Sequence, residues 1–579
     1  MKKFLLFLLL IGISCFNVPS YSAWIPETTA KIAEAARQAE SVSVTVGEPV
    51  RVGIGNQNFS SYVYKNVGIY GTAPLSLYNN GVLLETFPAG TNINISINPD
   101  FSYTLTKDDG ERIADLTGVL KFSAYGGCLG VKGLKRAGKP ALYHGTFEIM
   151  KANGGGVQFN LVNKLGLEEY LRGVVPNEMP VAFGLEALKA QSIAARNYVL
   201  TPRSKSSSNY DVVDSVASQV YFGANTEKTL SNTAVAQTEG LVALYNWDLI
   251  LALYSSTAGG YTESYANAFS DPVTKEFPSH GKPYLIAKPD ILHQTPLDEE
   301  GAAVAFYKSS PEAYDMQSPY FRWEREWGAE ELQKVLETNL PAQSATGFVK
   351  PAFEKGETLG RLIELKVKKR GESGKIVELE IVTEDRTYRG YKELVIRRLL
   401  TKDGKALPSA NVVFENAQDD EGYLTSVKAF GGGFGHGVGM SQFGAGFMGS
   451  RMNLSFDKIL QHYYTGIVIG TKPVIVSGAD NQRTVAQTFY ANKKQASIVV
   501  DNRYQLGKLE VNINGADYDF ELPTSFFGGN KCSRIDISDY INVGKNRVVF
   551  SYPKGENPKK GLRLFVELVG KNDDNKFIR

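Results

Sequence analysis

The chain has 579 residues, 43% hydrophobic and 21% charged, a globular balance with room for several domains that excludes wholesale disorder. Its formal net charge of +2 provides no basic field for a nucleic-acid partner. Three cysteines cannot build a disulfide framework; with no Cys-x-x-Cys pair and no zinc-type spacing among the five histidines, no metal or cofactor is expected.

Taken in chain order, Lys2 and Lys3 precede the apolar run Phe4 to Ile13, and Pro19 to Ala23 ends in small residues. This is the pattern of an export signal over residues 1–23, with an apolar run too short to span a bilayer well. Cys15 lacks the large aliphatic residue three positions before it that lipid attachment requires, so lipoprotein anchoring is not expected. Residues 24–43 read as a helical linker, with helix formers from Thr29 to Glu40. Residues 44–139 switch to strand signals: Asn92 to Ile97 alternates with period two, and Asn80-Gly81 between apolar runs marks a hairpin. Cys128 falls here and Cys532 in a later domain, so no disulfide is expected between them.

The stretch Tyr170 to Leu200 places Glu178 between Pro176 and Pro180, among Val174, Val175, Met179, Val181 and Phe183. Two flanking prolines restrict the backbone, and apolar neighbours disfavour a charged carboxylate. Both features suit a general acid working near neutral pH. Leu185, Leu188, Ser192, Ala195 and Val199 then recur at helical spacing, and Ala187, Ala190 and Ala194 leave room for close packing. Leu241 to Leu253 reads as strands around Asn246-Trp247-Asp248, residues 271–320 as a proline-rich surface insertion, and Ala329 to Asn339 as a helix. Gly371 to Gly374 joins two strands.

Nine of residues 431–449 are glycine, a density that lets backbone approach a ligand or another chain segment. Within this loop His436, Ser441 and Gln442 offer polar groups. A G-x-G-x-x-G match at Gly444 to Gly449 lacks a preceding strand, and no G-x-S-x-G elbow supports a Ser–His nucleophile. Phe456 to Tyr464 is a short helix, and residues 475–579 show short strands with an Asn514-Gly515 turn, as in a β-sandwich.

Several blocks in order resemble the stage II sporulation protein D family, also called the SpoIID/LytB family. Asn163 to Leu200 is similar to its N-x-L-x-L-E-E-Y-L and E-A-L-K-A-Q-x-x-A-A-R-x-Y blocks. Asp214 to Gly223, Thr257 to Glu263, Ile396 to Leu400, Leu407 to Ser409, Gly435 to Gln442 and His462 to Gly466 resemble its later ones. The resemblance implies an α+β protein: a mixed catalytic core over residues 140–470, a β-rich module before it and a β-sandwich after it.

It further implies an exported enzyme, periplasmic or associated with the cell wall, with no transmembrane segment once the signal is cleaved. The enzyme would be a lytic transglycosylase acting on peptidoglycan glycan strands stripped of stem peptides. The family's catalytic glutamate falls on Glu178, which would act as acid and then as base. Arg196, Gln219, Tyr221, Thr262, His436, Ser441 and Gln442 would line the sugar cleft. Glu186 and Glu263 stay open as second carboxylates for a hydrolase. The other class the resemblance admits is a non-catalytic glycan-binding regulator of a cell-wall amidase. Some relatives carry zinc ligands near the T-x-G-G block; Tyr254 to Glu263 contains no Cys or His, so zinc is not carried over. The terminal sandwich would be a second glycan grip or a structural cap.

Overall fold

A computed structural model describes residues 49–201, 207–291, 296–478, 483–503, 506–522, 532–553 and 561–570. The export signal, Cys15 and the linker helix lie outside the described residues. The chain divides into two discontinuous compact units, one of residues 1–242 with 474–564 and the other of 243–473 with 565–579. The fold is α+β, with strands in several sheets and helices among them. Among the described residues, no helix is long and apolar enough to cross a membrane.

The first unit is built on two antiparallel-rich sheets. One runs Val212–Val213, Pro49–Gly53, Phe159–Gly166, Thr146–Lys151, Leu120–Ser123, Leu75–Asn79, Val82–Phe87. The other runs Lys139–Tyr143, Leu129–Arg136, Asn66–Gly71, Asn92–Ile97, Tyr103–Lys107, Arg112–Leu116. Alternation puts Ile69, Leu77, Ile93, Ile95, Phe122, Phe147 and Phe159 in the core. Ring contacts of Tyr103 with Phe159 and of Tyr143 with Phe147 join the sheets. The Asn80-Gly81 turn forms as expected, with both residues at positive φ and Asn79 facing Val82.

This β platform carries the helices Leu167–Glu178, Leu185–Leu200 and Thr229–Ala236. Strands 146–151 and 159–166 belong to the same sheet as strands of residues 49–123, so β-rich module and helical motif share one unit. Residues 474–564 share it too. Lys189 donates to Asn492 at 3.2 Å, Lys545 pairs with Glu239, and a Cβ at Gly240 would lie 2.1 Å from the Thr488 carbonyl. The strands Thr484–Ala491, Gly544–Ser551, Lys508–Ile513 and Ala516–Glu521 form a four-stranded sheet, with the Asn514-Gly515 turn in place.

The second unit packs the helix Ala329–Ser344 through Leu332, Leu336 and Leu340. Its partners are the sheet of Trp323–Gly328, Leu424–Gly431 and Val412–Gln418, and the sheet led by the hairpin Leu362–Arg370 and Ile376–Thr383. Residues 271–320 are not the surface segment their prolines and irregular pattern suggested. Leu297, Ala303, Phe306 and Tyr307 build a core cluster with Tyr261 and Val413, while Leu285, Asp290 and Asp315 are buried. The apolar positions are spread over loops and the two-turn helix Glu300–Tyr307, so no period marks them as core.

Candidate active site

In the first unit, Leu167, Leu171, Val174 and Val175 form the buried stripe of the helix Leu167–Glu178. Pro176 lies inside this helix instead of ending it, because Met179 N–H still reaches the Val175 carbonyl at 3.0 Å. Glu178 is therefore the last helical residue, four positions beyond Val174 and half-buried at the end of the apolar stripe. A carboxylate at the negative pole of a helix costs about 0.3–1 kcal/mol, so stability alone does not account for it.

The Asp214 to Gly223 block straps this helix. Tyr170 Oη donates to Gln219 Oε1 at 3.2 Å, and Gln219 Nε2 donates to the Ala195 carbonyl at 3.4 Å. Val220 N–H donates to Glu178 Oε1 at 2.6 Å. Tyr221 Oη donates to Asn163 Oδ1 at 2.7 Å, and its ring lies where a Cβ on Gly173 would be, 2.6 Å away. Phe222 N–H then reaches the Gly173 carbonyl at 3.2 Å. One segment thus fixes the helix along its length and orients the carboxylate at its end. Gln219 and Tyr221 are buried, as is Arg196. The Arg196 guanidinium grips Glu168 with two bonds of 2.9 and 2.6 Å and donates to the Leu241 carbonyl. Glu186 pairs with Lys189 at 2.8 Å, and Glu169 accepts from the Gly166 N–H at the helix start.

Thr262, His436, Ser441 and Gln442 belong to the second unit, where the T-x-G-G-x-T-E segment runs against the glycine loop. Phe434 N–H bonds to the Thr257 carbonyl at 2.9 Å and Glu263 N–H to the Gly437 carbonyl at 2.8 Å. A Cβ at Gly439 would lie 2.1 Å from the Leu253 carbonyl, and one at Gly259 2.7 Å from the Gly432 carbonyl carbon. The glycines serve backbone-on-backbone packing. Thr262 is buried and exchanges hydrogen bonds with the backbone of Lys288. Ser441 is buried and caps the helix Gln442–Ser450, while Gln442 is buried at its start. Glu263 is fully buried and receives Ser373 N–H and Oγ, Asn267 Nδ2 and Ser264 N–H.

His436 Nδ1 accepts from Val438 N–H at 3.0 Å, which places the proton of the neutral ring on Nε2. Burial lowers its pKa to about 4 against the opposing pull of Glu393, with Lys375 and Arg397 adding to the fall. Its ring meets Phe269 edge-on. Two acids that no motif flagged anchor this unit. Asp290 pairs with His462 at 2.8 Å and receives Tyr463 Oη at 3.0 Å. Asp315 accepts from Gly259 N–H at 2.7 Å, and burial with Asp290 nearby raises its pKa to about 7. Both sit in the stretch expected as an insertion, so only the fold brings them to the motif blocks they hold.

Comparison with known proteins matches two stretches of the chain to family models. Residues 156–245 match the family described as Stage II sporulation protein, and residues 272–439 match a Domain of unknown function (DUF8618). Over 324 residues the chain is 30% identical to stage II sporulation protein D of Bacillus subtilis, spanning 53% of this chain and 75% of that protein. It is 32% identical over 318 residues to the amidase enhancer of Bacillus subtilis, spanning 52% of this chain but only 40% of that protein. An uncharacterized protein of Brachyspira hyodysenteriae is 27% identical over 311 residues, spanning 53% of this chain and 68% of that protein. The chain belongs to the stage II sporulation protein D family.

Proposed function

We propose that the chain is an exported lytic transglycosylase of peptidoglycan glycan strands, with Glu178 as its acid and base. The observation that carries this reading is the placement of Glu178: half-buried at a helix end, its carboxylate aimed by the Val220 amide. The other carboxylates of the motif blocks hold structural positions: Glu168 binds Arg196, Glu169 the helix start, Glu186 Lys189, Asp214 the buried Arg136, and Glu263 five donor groups. A retaining or inverting hydrolase needs two carboxyl groups flanking the bond. A single one suffices when the substrate supplies its own nucleophile. Glu178 protonates the departing glycosidic oxygen; the resulting carboxylate takes the proton of the C6 hydroxyl of muramic acid, which closes an anhydro ring.

Peptide-stripped glycan strands incubated with the purified protein should yield anhydromuramyl ends by mass spectrometry, and Glu178→Gln should abolish them. Reducing ends would instead show hydrolysis. The name of the amidase enhancer, to which residues of this chain are similar, supports a second reading: a glycan-binding regulator of a cell-wall amidase. Under that reading no glycan product forms, and adding the chain raises the rate of a purified cell-wall amidase on whole sacculi.

A further inference from the structure

The first unit holds a second constellation of chemical groups. Cys128 Sγ lies 3.8 Å from His144 Nδ1, and His144 Nε2 lies 2.8 Å from Glu227 Oε1. Cys128 is a free thiol, half-buried, and so is the His144 ring. Glu227 is itself oriented, since Asn232 Nδ2 donates to its other oxygen at 2.7 Å. Nucleophile, base and orienting carboxylate therefore stand in line, with the sulfur on one ring nitrogen and the acid on the other. That is the arrangement of roles in cysteine hydrolases.

The surrounding fold fixes this line. His144 follows the strand Lys139–Tyr143 directly, and Asn163 Nδ2 donates to its carbonyl at 2.8 Å. Asn163 is in turn held by Tyr221. Gly223, whose Cβ would lie 2.1 Å from the Leu142 carbonyl, brings the Glu227 turn onto the same strand. The thiol sits just after a turn at Ala124 to Gly127, where Gly126 faces open space. The Cys128 N–H donates to Thr72 Oγ1 at 2.8 Å, which sets the hydroxyl of exposed Thr72 against the backbone of the cysteine with its own proton still to give.

We propose that Cys128, His144 and Glu227 form a nucleophilic cysteine site that accepts an acyl group from an amide or ester. The sulfur attacks the carbonyl carbon as the thiol proton passes to His144 Nδ1, a C–S bond forms, and the Thr72 hydroxyl donates to the oxyanion. The bond to the leaving amine or alcohol breaks as His144 Nδ1 gives it a proton. Water then attacks the thioester; its proton goes to His144, the C–S bond breaks, the carboxylic acid leaves, and His144 returns the proton to the sulfur. Contact with Cys128 and Glu227 raises the His144 pKa to about 10, so the ring holds the proton it takes from the sulfur until the leaving group accepts it.

Cys532, exposed at the surface, serves as a control within the same molecule. The full chain, reduced and at pH 6.5, is treated with p-nitrophenyl acetate and separately with iodoacetamide, and each cysteine is followed by peptide mass spectrometry. Cys128 should acquire a hydroxylamine-sensitive acetyl group and react at least about tenfold faster than Cys532 with either reagent. His144→Gln should remove that advantage; Thr72→Val should slow acetylation about tenfold or more while sparing alkylation. Equal rates at Cys128 and Cys532 in the unmutated chain would overturn the site without reliance on any variant. Fast alkylation with no thioester would overturn its acyl chemistry.

Discussion

The helix end at Glu178 and the glycine loop around His436 are the two densest motif regions of the chain, and they use their residues in opposite ways. At the first, buried motif residues converge to present one half-buried carboxylate. At the second, the glycines let two chain segments touch, Ser441 caps a helix and His436 is a neutral ring. The lesson is physical: motif density records how tightly a segment is constrained, and constraint comes from packing as readily as from chemistry.

The largest expected effect tests the first region. Glu178→Gln keeps an oxygen for the Val220 amide but cannot exchange a proton, so glycan cleavage should fall by about 10²–10⁴-fold or more. Because a negative charge leaves the negative helix pole, the melting temperature should not fall. A loss of stability matching the loss of cleavage would make Glu178 another scaffold residue and erase the contrast. Next comes Arg196→Met, which strands Glu168 beside a buried apolar chain. Removing one partner of a buried pair costs about 3–5 kcal/mol, and the partial exposure of Glu168 sets the expectation at the lower end. Urea unfolding should show this as a lower midpoint. In the glycine loop, Gly439→Ala meets a carbonyl at 2.1 Å and a φ of 73°, a cost of about 1–3 kcal/mol by the same measurement.

Much of this was legible beforehand, and the exceptions share a cause. The hairpin turns at Asn80-Gly81 and Asn514-Gly515 are local, so two residues announce them. The helix Leu185–Leu200 has its period written along it. The amide that aims Glu178 belongs to Val220, and a backbone N–H carries no sequence signature. Asp290 and Asp315 meet their partners only through long-range contacts, within a stretch whose irregularity suggested surface. Cys128, His144 and Glu227 lie 16 and 83 residues apart, a spacing no motif encodes.

The smallest effects sharpen the contrast through two histidines, one in each unit. His144 has a folded pKa of about 10 against 6.5, so between those values the folded state holds more protons than the unfolded one. Its contribution is complete below pH 6.5 and is lost as pH rises toward 10. His436 has a folded pKa of about 4, so between 4 and 6.5 the unfolded state holds more protons. Its contribution is complete above pH 6.5 and is lost as pH falls toward 4. In the same unit Asp315, raised to about 7, holds an extra proton over that window and offsets His436, so the His436 contribution is read as the difference between the parent chain and a variant. Among the described residues the tryptophans, Trp247, Trp323 and Trp327, all lie in that unit, so tryptophan fluorescence reports its unfolding. In His436→Gln, whose amide oxygen can still accept from Val438 N–H, the pH slope of the fluorescence-detected stability between pH 4 and 6.5 should differ from the parent's by about one proton. An unchanged slope would mean that His436 titrates in the fold as it does in the unfolded chain, and the glycine loop would then present chemistry of its own.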